Sequence, residues 1–258
     1  MNILVCVKDV PEPSARIEIA SDNRSLRIGS SAPYVMGSLD EQALEEALTI
    51  KDSYPAATIH ALSIGPERSI RALRRALGMG ADQAILGSLP ASSLYDDAFV
   101  VASAIASWAR SRAYSLYMLG AASDDLMQGQ VGPMLAELMG VPCATCVVSV
   151  ETVEEDAIRC VREVDGGRRS VLEVDLPAVI SILSSPKTPR YPSLSNMLRA
   201  KKASLERFDF DEALSLDIQR LEVSYHYPVK ERNPVVLEGD AASQADRLIE
   251  FLRRKGIL

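Results

Sequence analysis

Apolar positions along the chain fall first into short unbroken runs and later into alternation, and that change of rhythm divides the sequence. Residues 2–7, "NILVCV", form a continuous apolar run, as a strand buried on both faces requires, and predict the central strand of a parallel sheet. The runs "ATIHALSI" at 57–64 and "QAILG" at 83–87, and the apolar start of "YSLYMLGAASDDLMQGQVGPMLAEL" at 114–138, repeat the signal. Helical periods separate them. Ser38 and Glu41 have the spacing of a capping box ahead of Ala43, Leu44, Ala47, Leu48 and Ile50 on one face. Residues 68–77 predict a helix with Arg71, Arg74 and Arg75 toward water, ended by Gly78 and Gly80. "SLYDDAFVVASAIASWARSRA" predicts a long helix beginning at Ser93 or Leu94, and Val131, Met134, Leu135 and Leu138 share the face of a fourth. Strand and helix alternating in this way predict an α/β fold, a Rossmann-like doubly wound and mostly parallel sheet.

Beyond residue 142 the period becomes two: "ATCVVSVET", "DAIRCVREV" and "RSVLEVDLPAVISI" read as strands that extend or cross the first sheet. Turns at Glu154, Glu155 and Asp156 and at Asp165, Gly166 and Gly167 separate them, the second an Asp-Gly hairpin signal. An earlier segment, 8–30, has Pro11 and Pro13, two short alternating stretches and a turn at 21–23, a hairpin or a long loop. From residue 184 three prolines fall within seven residues, a short basic helix follows at about 195–202, and clear amphipathic periodicity returns only at 242–258. These breaks predict an α/β nucleotide-binding domain over 1–183 and an extension over 184–258 that wraps a partner.

The 114–138 stretch is strand, loop and helix, with the break at Gly120. In an open α/β sheet ligands sit beyond the carboxyl ends of the strands, and a helix N-terminus offers unpaired N–H groups to an anion. A phosphate is the natural guest, although neither a Walker lysine nor a G-x-G-x-x-G is present. No Ser/His/Asp, Cys/His or paired-carboxylate constellation is evident, so the chain reads as a non-enzyme with no catalytic residue.

Composition narrows the classes. A hydrophobic fraction of 47% with 24% charged residues is that of a globular protein rather than a disordered one. The net charge of −7 argues against nucleic acid as a partner. The longest apolar runs are far below membrane-spanning length and the N-terminus lacks signal-peptide features, so a cytoplasmic location is expected. Cys143 and Cys146 have metal-knuckle spacing, but no second ligand pair exists and a strand would send them to opposite faces. With Cys6 and Cys160 they read as buried small hydrophobes, and no metal is expected.

Seven collinear blocks carry a resemblance: "LVCVKDVP" at 4–11, "DEQALEEAL" at 40–48, "ALGMGAD" at 76–82, "GQVGPMLAELMG" at 129–140, "REVDGG" at 162–167, "LPAVISI" at 176–182 and "PRYPSLSNMLRAKK" at 189–202. Over nearly its whole length the chain resembles the electron-transfer flavoprotein beta (small) subunit. The resemblance implies an adenine-nucleotide alpha-hydrolase-like fold and a heterodimer with an alpha subunit that holds or shares FAD. It also implies AMP, or a second and bifurcating FAD, in this subunit. Electrons would arrive from an acyl-CoA or other dehydrogenase, and a quinone oxidoreductase is a further partner.

Carried over position by position, the nucleotide site would use Cys6, the helix entry Gly37, Ser38, Leu39 and Asp40, and Ile64. It would continue through Gly120, Ala121, Ala122, Ser123, Asp124, Asp125, Gln128, Gly129, Gln130 and Val131. Gly37-Ser38 replaces the family's Asn-Pro, and 121–127 departs from the family's acidic turn. Glu163 matches an interface glutamate near the alpha-bound flavin, and Leu194 the apolar anchor of the loop that docks on acyl-CoA dehydrogenases. The competing readings are a stand-alone adenine-nucleotide enzyme and a nucleotide-sensing module of the same fold.

Overall fold

The computed structural model describes residues 1–29, 32–153, 156–216, 224–228 and 234–257. Its elements in chain order are β1 (Asn2–Cys6), β2 (Asp9–Pro11), β3 (Ile17–Ile19), β4 (Leu26–Ile28), β5 (Tyr34–Met36), α1 (Ser38–Ser53), β6 (Thr58–Ile64), α2 (Ile70–Met79), β7 (Gln83–Ser88) and α3 (Ala98–Ala109). They continue with β8 (Leu116–Gly120), α4 (Val131–Met139), β9 (Cys143–Val153), β10 (Ala157–Val164), β11 (Arg168–Asp175), β12 (Ala178–Ile182), α5 (Leu194–Lys202), β13 (Glu206–Asp209) and α6 (Ala241–Arg254). Nine strands form one sheet in the order β11-β10-β9-β12-β8-β1-β6-β7-β13. It is parallel from β9 to β13, and β10 and β11 add an antiparallel flank.

The alternation of side chains along β1 explains the layers. Ile3 and Val5 enter a buried cluster with Ala43 and Leu44 of α1 and Ala72 and Leu73 of α2. Leu4 and Cys6 enter a second cluster on the opposite face, with Ile105 of α3 and Leu135 of α4. A strand covered by helices on both sides has no polar face, so its run of apolar residues is unbroken. Two shorter pairings, β2 with β5 and β3 with β4, occupy the 8–36 excursion. The mostly parallel, doubly wound α/β sheet is as the sequence pattern predicts.

Several local expectations are corrected. The N-cap of α1 is Gly37, without a side-chain cap bond, and Ser38 and Glu41 form no capping box. Ser38 instead turns to Asp124, and Glu41 pairs with Arg75. In α2 the glycine at 78 is helical, because the helix needs its bare face: a Cβ there would lie 3.2 Å from Pro192. The helix ends at Gly80, whose φ of 135° excludes most side chains. Arg74 does not point to water but donates to the carbonyls of Ala200 and Ala203 at the end of α5. Helix α3 starts at Ala98, four to five residues later than predicted, because Asp97 accepts from the N–H groups of Phe99 and Val100 and fixes the cap there.

Cys143 and Cys146 lie in the predicted strand, β9, but a bulge breaks its alternation. Between β12 and β9 the register steps from Ile180–Ala144 to Ile182–Val147, and Cys146 has a φ of 56°. Ala144 and Val147, three apart, therefore enter the same buried cluster, where strict alternation would separate them. Cys6 and Cys160 are buried, Cys146 is half-buried and Cys143 is exposed, so only two of the four behave as buried hydrophobes. The Asp165-Gly166-Gly167 hairpin turn is present between β10 and β11, whereas Glu154 and Glu155 of the other predicted turn lie outside the described residues.

The described residues group into two compact units, Met1–Glu18 with Ile28–Leu221, and Ile19–Arg27 with Glu222–Leu258. The first holds the sheet, including its edge strand β13, which pairs with β7. Phe210 and Ala213 beyond it are buried with Leu94, Val100 and Ala104, a packing that weak periodicity in the sequence conceals. In the second unit Tyr225 N–H bonds Asn23 O at 2.7 Å, and α6 has no buried residue, its Leu248, Ile249 and Phe251 open to solvent.

Candidate functional site

The carboxyl ends of β1, β6 and β8 open on one side of the sheet into a cleft. One wall is apolar: Cys6, Leu62, Ile64, Val101, Ile105 and Leu119. The other is the 120–132 loop and the start of α4, contributing Gly120, Ala121, Ala122, Ser123, Gln128, Gly129, Gln130 and Val131. The first wall offers apolar contact and the second offers backbone polar groups.

The loop is shaped for close backbone approach. Gly129 has a φ of 65°, and a Cβ there would sit 3.3 Å from Ala121 O. Met127 shares the left-handed conformation at a φ of 52°, so two reversals within three residues turn the backbone toward α4. Gln130 caps α4 without a side-chain bond, and Val131 and Gly132 donate their N–H groups to no partner among the described residues. Pro133, the next residue, has no N–H to satisfy. The first turn of α4 thus directs free donors and the positive end of its dipole at the cleft.

Asp40 ties the site together. Only 7% exposed, it accepts from Lys8 N–H at 2.8 Å and from Gly120 N–H at 2.9 Å, joining the exit of β1, the first turn of α1 and the exit of β8. Gly120 must lack a side chain, since a Cβ would lie 2.7 Å from Asp40 Oδ1 and 2.8 Å from Leu39 Cβ. Burial pushes the Asp40 carboxyl up to about 7, against the lowering effect of its two backbone bonds. Burial, and next the Asp40 charge, push the Cys6 thiol up to about 12, so it serves as a neutral wall and not as a nucleophile.

The remaining predicted residues stand behind the cleft. Asp124 accepts from Ser38 N–H at 2.7 Å and Ser38 Oγ at 2.6 Å, capping α1 from across the loop. Asp125 pairs with Lys8 Nζ at 2.7 Å; burial raises its carboxyl, but bonds from Lys8 and Ser123 and the Lys8 charge outweigh burial and hold it below the ordinary range. Gly37, Ser38, Leu39, Asp124 and Asp125 therefore shape the site without lining it. Glu163 lies exposed on β10, opposite Arg169 of β11, and Leu194 opens α5, 71% exposed; neither belongs to the cleft.

Lys8, Tyr95, Asp96 and Ala98 also line the cleft and escaped the sequence reading. A signal existed for Lys8: residues just past a parallel strand fall on the ligand side of the sheet. Tyr95 and Asp96 were hidden by placing the helix start too early. Burial raises the Asp96 carboxyl, with Asp125 adding to the rise.

The Asp40 carboxyl gives a pH prediction. Its folded value lies above the ordinary 3.9, so the folded state binds the extra proton between about pH 4 and 7. The contribution is fully favourable below pH 4 and is lost as pH rises through 7, with a slope of at most ~1.4 kcal/mol per pH unit. Asp40→Asn is expected to flatten that part of the stability profile in urea titrations from pH 4 to 8. An unaltered slope would assign it to other groups, Asp9 first, whose buried carboxyl is pushed up to about 6.

Comparison with known proteins bears on the site as a whole. The model of the electron transfer flavoprotein domain matches residues 26–213. A Bacillus subtilis electron transfer flavoprotein subunit beta is 30% identical over 258 residues, covering 98% of both chains. The mitochondrial subunit beta of Arabidopsis thaliana is 34% identical over 259 residues, covering 99% of this chain and 98% of the relative. The electron transfer flavoprotein subunit beta of Dictyostelium discoideum is 30% identical over 260 residues, covering 100% of this chain and 99% of the relative. Among the described residues no His, Cys, Asp or Glu cluster could hold a metal, and no helix is long and apolar enough to cross a membrane.

Proposed function

Because this chain belongs to the electron transfer flavoprotein family, among its beta subunits, we propose that it works as the small subunit of a heterodimer that carries electrons from dehydrogenases, with an adenine nucleotide in its own cleft. The observation that carries the nucleotide assignment is the pairing of an apolar wall with free N–H groups at a left-handed glycine turn. The adenine would lie against Cys6, Ile64 and Val101. The phosphates would meet the N–H groups of Gly129 to Gly132, with Lys8 as the nearby cation. AMP, or the adenylate half of a second FAD, meets this description. A flavin in the complex supplies the redox chemistry; this chain binds, orients and excludes water.

The larger subunit would cover α6 and the exposed strand face that carries Glu163. The uncovered apolar side of α6 favours this partnered reading over a stand-alone nucleotide protein. Leu194, with Tyr191 and Leu198, would form the apolar anchor for a dehydrogenase of the acyl-CoA type, rimmed by Arg199, Lys201 and Lys202.

The test is to purify the chain with its alpha subunit and record the visible spectrum and the nucleotides released on denaturation. One flavin and one AMP per heterodimer support the reading, and two flavins place FAD in this cleft. A chain that stays monomeric beside the alpha subunit and carries nucleotide alone would favour the stand-alone alternative. Truncation before Ala241 is expected to leave the unfolding transition of the sheet-containing unit unchanged, since no residue of α6 is buried, while weakening the heterodimer in sedimentation.

A further inference from the structure

The segment leading to the exposed anchor is fastened by charge. Glu46 of α1, with no exposed surface, accepts from Ser185 Oγ at 2.6 Å and Lys187 Nζ at 2.7 Å. Its neighbour Glu45, also buried, accepts from Arg190 N–H at 2.8 Å and from the Arg190 guanidinium at 2.9 to 3.1 Å on both oxygens. The same guanidinium reaches Asp52 at 2.8 Å. Immediately beyond this clamp, Tyr191 is 79% exposed and Leu194 71%.

Two adjacent buried carboxylates are a costly way to attach a loop, because each must be desolvated, and an apolar contact of similar size holds as well. A forked, charge-assisted contact adds direction: the guanidinium plane and both carboxylate oxygens must be aligned. Pro186 and Pro189 restrict the backbone between the fastened points, and Pro192 restricts it between Arg190 and Leu194. Fixing a recognition segment in its bound geometry lowers the ordering cost of association.

We propose that Arg190 and Lys187 are positioning residues, which with Glu45 and Glu46 hold 184–192 on α1 so that Leu194 is presented to the partner protein in docking geometry. This rests on the reading of Leu194 as the docking anchor. In this role Arg190, its guanidinium engaged by Glu45 and Asp52, acts through Leu194.

The test is a double-mutant cycle in the intact heterodimer, with a purified acyl-CoA dehydrogenase and its acyl-CoA substrate as reductant. Glu45→Gln with Arg190→Gln removes the charges together and leaves no unpaired buried ion. It is expected to raise the apparent KM for the dehydrogenase about tenfold, the scale of one lost preorganisation term, with kcat and flavin content unchanged. Added to Leu194→Ala, it should raise KM no further, because its route is already cut. Arg190→Lys keeps the buried carboxylate paired but loses the fork, and it should give an intermediate KM and faster amide exchange over 184–200. If Leu194→Ala raises KM while the clamp variants leave it flat, or add their full effect on top, the positioning role is overturned and the anchor reading stands. If Leu194→Ala itself leaves KM unchanged, the anchor reading fails and this proposal with it.

Discussion

Leu194→Ala is expected to raise the apparent KM for reduction by a partner dehydrogenase roughly thirtyfold, with flavin content and melting temperature near wild type. Truncating a central interface anchor costs about 2 kcal/mol or more, which is that factor in affinity. Stability should hold because the side chain is exposed in the free subunit, so its removal opens no cavity. Ser193, which caps α5 by accepting from Asn196 N–H at 3.2 Å, is untouched, and Ala is a good helix former at the first helical position. Stopped-flow reduction at varied dehydrogenase concentration reads the effect. A variant that unfolds early, or keeps its wild-type KM, would remove Leu194 from the interface.

The second large effect is expected at Gly129. Gly129→Val places a β-branched residue at a φ of 65° with its Cβ 3.3 Å from Ala121 O. A non-glycine residue held there costs about 1 to 3 kcal/mol. The loop can relieve that cost only by moving the N–H groups that open α4, so nucleotide affinity should fall on the order of tenfold or more. Gly129→Ala should lie between. Nucleotide released by denaturing the purified heterodimer measures this directly, and stoichiometry unchanged by the Val substitution would move the phosphate site elsewhere. Heterodimer formation should remain, which separates a local effect from a folding failure.

What the sequence disclosed follows from which forces are local. The parallel core was legible because β1, β6, β7 and β8 are buried on both faces and cannot hide a polar alternation. The loop at 120–131 was legible because a small-residue break between an apolar run and a helical period has few other meanings in such a sheet. Asp40 was marked as a ligand-site residue only through the family resemblance; its role as a tie between two backbone N–H groups needs β1 and β8 side by side. Ser38 looked like a capping residue in isolation, yet Asp124, 86 positions away, offers both its N–H and its hydroxyl a better acceptor. The strand at 206–209 is short and rich in charge, and only the open edge of β7 makes it a strand. The bulge at Cys146 left no trace in residue type, since a left-handed cysteine is not what turn chemistry predicts.

The position of β12 has a consequence for synthesis. This strand is inserted between β8 and β9, and its Ile182 carbonyl accepts from the N–H of Ala121 at 2.8 Å. A ribosome reaches it roughly 60 residues after completing β8, a delay of about 3 to 12 s at ~5–20 residues per second. Throughout that interval the apolar strand "LYMLG" has one unpaired edge, and the first residue of the ligand loop has no support from that side. An unpaired, hydrophobic parallel strand is a template for wrong partners. A chain that folds as it emerges would hold the 120–132 cleft half built and this edge open, a window in which chaperone holding, slow translation or an early-binding partner subunit has the most to protect.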